Sequence, residues 1–258
     1  MHDRKCAAMG PDEKTGGSDA ERAVARVGGE DYPDDLNRLL SSHGVSVRIR
    51  CRQCYRFNAQ DETSIYHLNS GLAFLGAGNT GSGPRLLSVL YPRDMFSSRL
   101  APPLENVGIY ATIDCQLTRL RAATTGRSQD ETLKLEAALG RRLAAMYARA
   151  NLHVDRVNHF PADARLISFL VEIALRTGRK TNDSMTCELP LSRRDIGSYL
   201  AINPDTVSRI FTTFRSKGYV KTIGNRRLFI ENVNRLFDEF PACQITAQLI
   251  ASESRQTS

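Results

Sequence analysis

The chain has 258 residues, 41% hydrophobic and 24% charged, with a formal net charge of +7 and a pI near 9.3. That length fits two compact domains, and no run of about 18 apolar residues is present to span a membrane as a helix. The first residues, MHDRKCAAMGPDEKTGG, lack an uninterrupted apolar signal core, so a cytoplasmic location is expected.

Residues 1–35 are rich in Gly, Asp, Lys and Ala without an apolar period and read as a flexible N-terminal segment. Leu36, Leu39 and Leu40 share a helix face that Gly44 ends. From Val45 to about Leu120 the period changes to two: Val45, Val47, Ile49, Cys51, Tyr55 and Phe57 share one parity, and Arg48, Arg50, Arg52 and Arg56 the other. Short strands with Gly and Pro turns predict a small antiparallel barrel or jelly roll over 36–124. The loop AGNTGSG reads as a hairpin turn, because it lacks the Lys-Ser/Thr ending of a phosphate cradle.

A long helix follows over 125–158, capped by Ser128 or Asp130. Its stripe of Leu135, Leu139, Leu143, Met146, Ala150, Val154 and Val157 predicts a dimer seam, making the partner a second copy of the chain through 128–157. PADARLISFLVEIALRTG is a further amphipathic helix, with Leu166, Phe169, Leu170 and Ile173 inward. The stretch RKTNDSMTCEL reads as a polar loop, and 241–258 as a C-terminal tail.

Between Leu189 and Ile230 eight basic residues stand against two acids, an electrostatic footprint for a polyanion. Ser192, with Asp195 three residues on, predicts a capped helix. AINP is a tight connection, Asn203 caps a second helix and Pro204 takes its first position. Val207, Ile210, Phe211 and Phe214 face inward, and Asp205, Ser208, Arg209 and Thr212 outward. YVKTIGNRRLFIEN then reads as a hairpin with Gly224 and Asn225 in the turn. Two helices, a short turn and a β-wing predict a winged helix-turn-helix over 159–240. In a major groove Arg209 can bond guanine O6 and N7, Asp205 can accept from cytosine N4, and Ser208 can meet either edge. Ser192, Asn203 and Thr206 suit phosphates, and Arg193 adds charge. The predicted partner is double-stranded DNA and the fold class α+β.

The order of barrel, long helix and winged helix-turn-helix resembles the Crp/Fnr family of bacterial transcription regulators. SIYHLNSG is similar to the family's strand-and-turn signature, and YPRDMF to its barrel motif, with Arg93 where glycine is usual. FPADARLISFLVEIALRTG resembles the helix leading into the family's DNA-binding domain, and LSRRDIGSYLAINPDTVSRIFTTF its recognition unit. The resemblance covers roughly 36–238. It implies a homodimeric, non-enzymatic regulator: the barrel senses a signal, the long helix pairs subunits, two recognition helices read a palindrome, and RNA polymerase is a partner. Asp205, Ser208 and Arg209 occupy the positions of the family's Glu, Ser, Arg base-reading triplet. The branch with Ser in the middle reads sites such as TTGAT paired with ATCAA. No nucleophile–base pair, HExxH or phosphate loop favours an enzyme. A non-specific nucleic-acid binder is the other alternative.

Six cysteines lie far apart: Cys6, Cys51, Cys54, Cys115, Cys187 and Cys243. The segment between Leu86 and Cys115 does not match the family's cyclic-nucleotide phosphate loop, although a cyclic-nucleotide or other small-ligand signal is an alternative. Cys115 resembles the barrel ligand of the oxygen-sensing branch. Cys6, Cys51, Cys54 and Cys115 would then be four candidate ligands for an iron–sulfur cluster, though no cofactor is the primary expectation. Cys51 and Cys54 form a CxxC: a turn at Gln53 would converge both sulfurs, whereas an unbroken strand would send Cys51 inward and Cys54 out among Arg52 and Arg56. In the second case the arginines would lower the Cys54 thiol pKa and make it an oxidant-sensitive switch. Cys187, just before the helix-turn-helix, is a further redox candidate.

Overall fold

The computed structural model describes residues 34–57, 63–80, 83–100, 104, 106–121, 127–224 and 226–257. The segment 1–33, including Cys6 and most of the expected flexible N-terminus, lies outside the described residues.

Helix α1 (Asp34–His43) leads into eight strands: β1 (Val45–Ile49), β2 (Cys54–Arg56), β3 (Ser64–Ser70), β4 (Ala73–Thr80), β5 (Gly83–Leu90), β6 (Met95–Ser97), β7 (Gly108–Ala111) and β8 (Cys115–Arg121). They form two antiparallel four-stranded sheets, ordered β1-β8-β3-β6 and β2-β7-β4-β5. Ile49, Leu68, Ala73, Leu90, Ile109 and Leu117 meet between the sheets. The lobe is thus jelly-roll-like, and among the described residues its ladders do not close into a barrel. Alternation explains the strands: β8 places Cys115 and Leu117 between the sheets and Gln116 outward, and Leu120, of the opposite parity, packs on the other face with Leu36 and Leu135.

The unbroken strand through the CxxC is corrected. β1 stops at Ile49 and β2 starts at Cys54 in the other sheet. A turn separates them, closed by the Gln53 amide on the Arg50 carbonyl at 3.0 Å, with Arg52 in the left-handed region at φ 65°. A non-glycine residue carries this turn, so the sequence shows no break.

Helix α2 (Gln129–His159) starts on Ser128, whose hydroxyl accepts from the Glu131 amide while Glu131 reaches back to the Ser128 amide. The predicted stripe is divided between the chain's own core and solvent. Leu135 is buried with Leu36, Leu39 and Leu120, and Met146 packs on the inter-sheet core, so these residues serve the chain's own fold. Ala150 of the stripe is exposed, and the apolar residues facing solvent include Leu133, Ala137, Gly140, Ala144, Tyr147 and Val154, the last also of the stripe. Their spacing of 4-3-4-3-7 keeps one face, and Tyr147 is 70% exposed.

Helix α3 (Ala162–Thr177) is buried from Leu166 to Leu175, Glu172 included. The expected polar loop is a hairpin, β9 (Arg179–Thr181) and β10 (Ser184–Glu188), turning at Asn182 with φ 54°. Met185 and Cys187 point inward, and β10 joins the wing strands in the order β11-β12-β10-β9. After helices α4 (Arg193–Leu200) and α5 (Pro204–Ser216) come β11 (Val220–Ile223), β12 (Arg227–Ile230) and α6 (Val233–Glu239). The residues read as a tail form helix α7 (Pro241–Thr257), which packs against α3 and α2 through Cys243, Thr246, Ala247, Ile250 and Ala251.

The C-terminal core continues into the first lobe: Leu72, Phe74, Val89 and Tyr91 belong to the same apolar cluster as Phe169, Tyr199 and Phe211. Tyr199 of α4 meets Phe74 at 5.4 Å between ring centroids and stacks on His153 of α2 at 4.0 Å.

Candidate nucleic-acid interface

Helix α4 opens with a complete capping box. The Ser192 hydroxyl accepts from the Asp195 amide at 3.1 Å, and the Asp195 carboxylate accepts from the Ser192 amide at 2.9 Å. The helix ends at Ala201 in a left-handed conformation, φ 54°. The chain turns so sharply there that a Cβ on Gly197 would lie 2.4 Å from the Ile202 carbonyl oxygen, so only glycine fits. Asn203 then caps α5, its side-chain oxygen accepting from the Asp205 amide at 2.8 Å, with Pro204 at the first helical position.

The two faces of α5 separate cleanly. Val207, Phe211 and Phe214 are buried, while Asp205, Ser208, Arg209, Thr212 and Arg215 are exposed. Asp205, Ser208, Thr212 and Arg215 recur at i, i+3, i+7 and i+10, and Arg209 flanks them, so one open stripe carries an acid, hydroxyls and two guanidiniums. Their present bonds are local and exposed. The Ser208 hydroxyl donates to the Pro204 carbonyl at 3.1 Å, Arg209 Nη2 to Thr206 Oγ1 at 3.1 Å, and Arg215 Nη2 to Thr212 Oγ1 at 3.1 Å. None is a buried ion pair, so each can be exchanged for a base edge or a phosphate at small cost. Arg215 was not among the residues singled out from sequence, although its i+3 spacing from Thr212 places it on this stripe.

Arg193 differs from its expectation as a free surface charge. Its guanidinium lies over the Phe211 ring, 3.4 Å from the centroid, and burial lowers its pKa. It braces α4 on α5 by a cation–π contact. The Ser192 and Asn203 side chains are likewise engaged in capping. Beside the helices, β11 and β12 form the wing, with Gly224 at φ 61° in the turn and Arg226 and Arg227 exposed; Asn225 lies outside the described residues.

Residues 164–238 match the family model of a Crp-like helix-turn-helix domain. The nitrogen fixation regulation protein FixK of Bradyrhizobium diazoefficiens is 30% identical over 170 residues, 65% of this chain and 70% of that protein. The chain belongs to the Crp/Fnr family. Among other Crp/Fnr relatives, the transcriptional activator protein FnrA of Stutzerimonas stutzeri is 32% identical over 72 residues, so the match spans 28% of this chain and only 30% of FnrA. The structure of FixK2 from Bradyrhizobium japonicum superposes with a TM-score of 0.60 at 22% identity, covering 76% of this chain and 97% of that one, which shows a shared fold. Arg93, at the usual glycine position of the Crp/Fnr barrel motif, adopts φ 77°, the left-handed conformation that glycine takes without strain.

Each described candidate cysteine has its own local setting, and Cys6 lies outside the described residues. Cys51 donates to the Thr112 carbonyl at 3.1 Å, Cys54 lies on β2, Cys115 is buried against the Leu72 and Ile113 carbonyls, and Cys187 sits in the C-terminal sheet. Among the described residues, no three His, Cys, Asp or Glu side chains gather to hold a metal. Burial raises the Cys54 thiol pKa, outweighing the Tyr110 hydroxyl and Arg56, which lower it. Burial pushes Cys115 to about 11 and Cys187 to about 12, so the Cys187 thiol is shielded rather than reactive. No helix among the described residues is long and apolar enough to cross a membrane.

Proposed function

We propose that the chain is a transcription regulator that binds a palindromic DNA operator as a homodimer, with α5 as the recognition helix. One observation carries this reading: the α5 face bearing Asp205, Ser208 and Arg209 is open, while its opposite face is locked into the core. Arg209 reads a guanine by two hydrogen bonds, Asp205 accepts from a cytosine amine, and Ser208 takes the edge between them. Thr206, Thr212, Arg215 and the amides at the helix start hold the backbone, with Ser192, Asn203 and Arg193 shaping the approach. The exposed wing arginines add counterion-releasing contacts.

The pairing surface is the outer face of α2, Leu133 through Val154, which supplies small residues for close approach and Tyr147 as its large anchor. RNA polymerase is the further partner expected of such a regulator. The test is fluorescence anisotropy on a duplex carrying TTGAT and ATCAA half-sites beside a scrambled duplex. Preference for the palindrome that disappears in Arg209→Ala supports the reading, and equal affinity for both duplexes in the unaltered protein contradicts it.

A further inference from the structure

Where the two lobes meet lies a network of three arginines and three carboxylates. From the N-terminal side come Asp94 and Tyr91, after β5, and Arg149 and Arg156 on α2. From the C-terminal side come Glu172 and Arg176 on α3 and Glu253 and Thr246 on α7. The first group carries a net +1 and the second a net −1, so the halves are complementary only as a pair.

Each side is partly paired within itself. Arg149 Nη2 donates to Asp94 Oδ2 at 2.6 Å, and Arg176 makes a bidentate pair with Glu253 at 2.8 and 2.9 Å. Glu172 makes the crossing. It accepts from Arg156 Nη2 at 2.9 Å on one oxygen and from the Tyr91 hydroxyl at 3.0 Å on the other. Arg156 also donates to Thr246 Oγ1 at 3.2 Å, and Arg149 Nη1 stands 3.6 Å from Glu253 Oε2. The Arg149 and Arg176 guanidiniums both lie over the Tyr91 ring, 5.5 and 5.0 Å from its centroid. Burial pushes the Glu172 carboxyl up, yet Arg156 and Arg176 outweigh it and hold it below its ordinary range.

Arg176 is the competitor in this arrangement. Its buried Nε makes no hydrogen bond and stands 3.8 Å from Glu172 Oε1, the oxygen that Tyr91 uses. While Glu253 occupies the other two nitrogens, Arg176 pairs with Glu172 only at that longer distance and leaves the close contacts on its oxygens to Tyr91 and Arg156. Without Glu253 the C-terminal side falls to net zero, and Arg176 turns to Glu172, the nearest remaining carboxylate.

We propose that α7 is a clasp: Glu253 engages Arg176 so that it does not close a hydrogen bond onto Glu172, and so keeps Glu172 bound to Tyr91 and Arg156 across the lobe boundary, fixing the helix-turn-helix against the jelly-roll lobe. An event that withdraws α7 unfastens the boundary without touching either the recognition face or the inter-sheet core.

Amide hydrogen exchange of the full-length protein tests this, read at the connection between α2 and α3 (residues 156–165) and, as an internal control, at β3 and β8. In Glu253→Gln, exchange at the connection accelerates about 5- to 150-fold, the range of a single site-to-site coupling, while β3 and β8 stay protected. Arg176→Met with Glu253→Met restores protection, since it leaves Arg149 and Arg156 balanced by Asp94 and Glu172. Thr246→Val, which removes the hydroxyl contact with Arg156 and the bond to the Ala242 carbonyl but no charge, gives a smaller acceleration. Unchanged exchange at the connection in Glu253→Gln would overturn the proposal, as would a double variant no better protected than the single one.

Discussion

The recognition stripe of α5 and the junction beneath it both depend on arginine, and they use it in opposite ways. Arg209 is exposed and holds one exchangeable bond to Thr206, whereas Arg156 is 1% exposed and bound to Glu172 and Thr246. An exposed guanidinium keeps its donors for a partner and adds little to folding. A buried one contributes nothing to recognition, but its loss strands opposite charges in a region of low dielectric. Position, not residue type, therefore separates binding from stability here.

Substitutions can break that division most strongly at the junction. Glu172→Ala leaves Arg156 uncompensated and should cost about 3–5 kcal/mol in denaturant unfolding. Arg209→Ala should cost about 1–3 kcal/mol of specific binding per half-site while moving stability by no more than about 0.5 kcal/mol. If Arg209→Ala unfolds the protein, or Glu172→Ala leaves stability unchanged, the contrast fails. Asn203→Ala, which removes the α5 cap but no base contact, should lower stability by about 1 kcal/mol, an intermediate case that weakens both properties slightly.

A pH titration sharpens the same contrast. Burial lowers both His67 and His153 to about 4, from an ordinary imidazole value of 6.5. As pH falls through 6.5 the unfolded chain takes up protons that the folded chain refuses, so stability declines down to about pH 4. Glu172, whose pKa is depressed, loses its contribution only below the ordinary carboxylate value of 4.5, leaving the upper part of the window to the imidazoles. His153→Phe, which keeps a ring against Tyr199, should flatten part of the decline measured by thermal melts between pH 7 and 5. An unchanged slope would remove His153 from this account.

The same division governs what the sequence discloses. The helix-turn-helix was legible because local chemistry enforces it: Ser192 with Asp195, Asn203 before Pro204, and an apolar stripe ending at Gly218 all act within a few residues. The break in β1–β2 was not, since Arg52 takes the left-handed turn without a glycine to mark it. Hairpin β9–β10 hid in a polar segment, although Met185 and Cys187 alternate with Thr186 as a half-buried strand does. Helix α7 carried a signal that was passed over, Cys243, Ala247 and Ile250 at helical spacing behind a Pro241 start. The outer face of α2 was obscured because apolar residues line both sides of the helix, and only packing shows which side is already occupied. The ion network left one trace, a lone Glu172 in LISFLVEIAL; its hydrogen-bond partners Arg156 and Tyr91 are 16 and 81 residues away, and nothing local marks them.

Operator discrimination measured at near-physiological salt tests the central claim most directly. Titration of the purified protein against the palindromic and scrambled duplexes should give affinities differing by at least about 10³-fold, as specific protein–DNA complexes do. The ratio should collapse in Arg209→Ala, while non-specific binding and its salt dependence persist. Equal affinities with the same salt slope would contradict the account and make the chain a basic, sequence-indifferent binder.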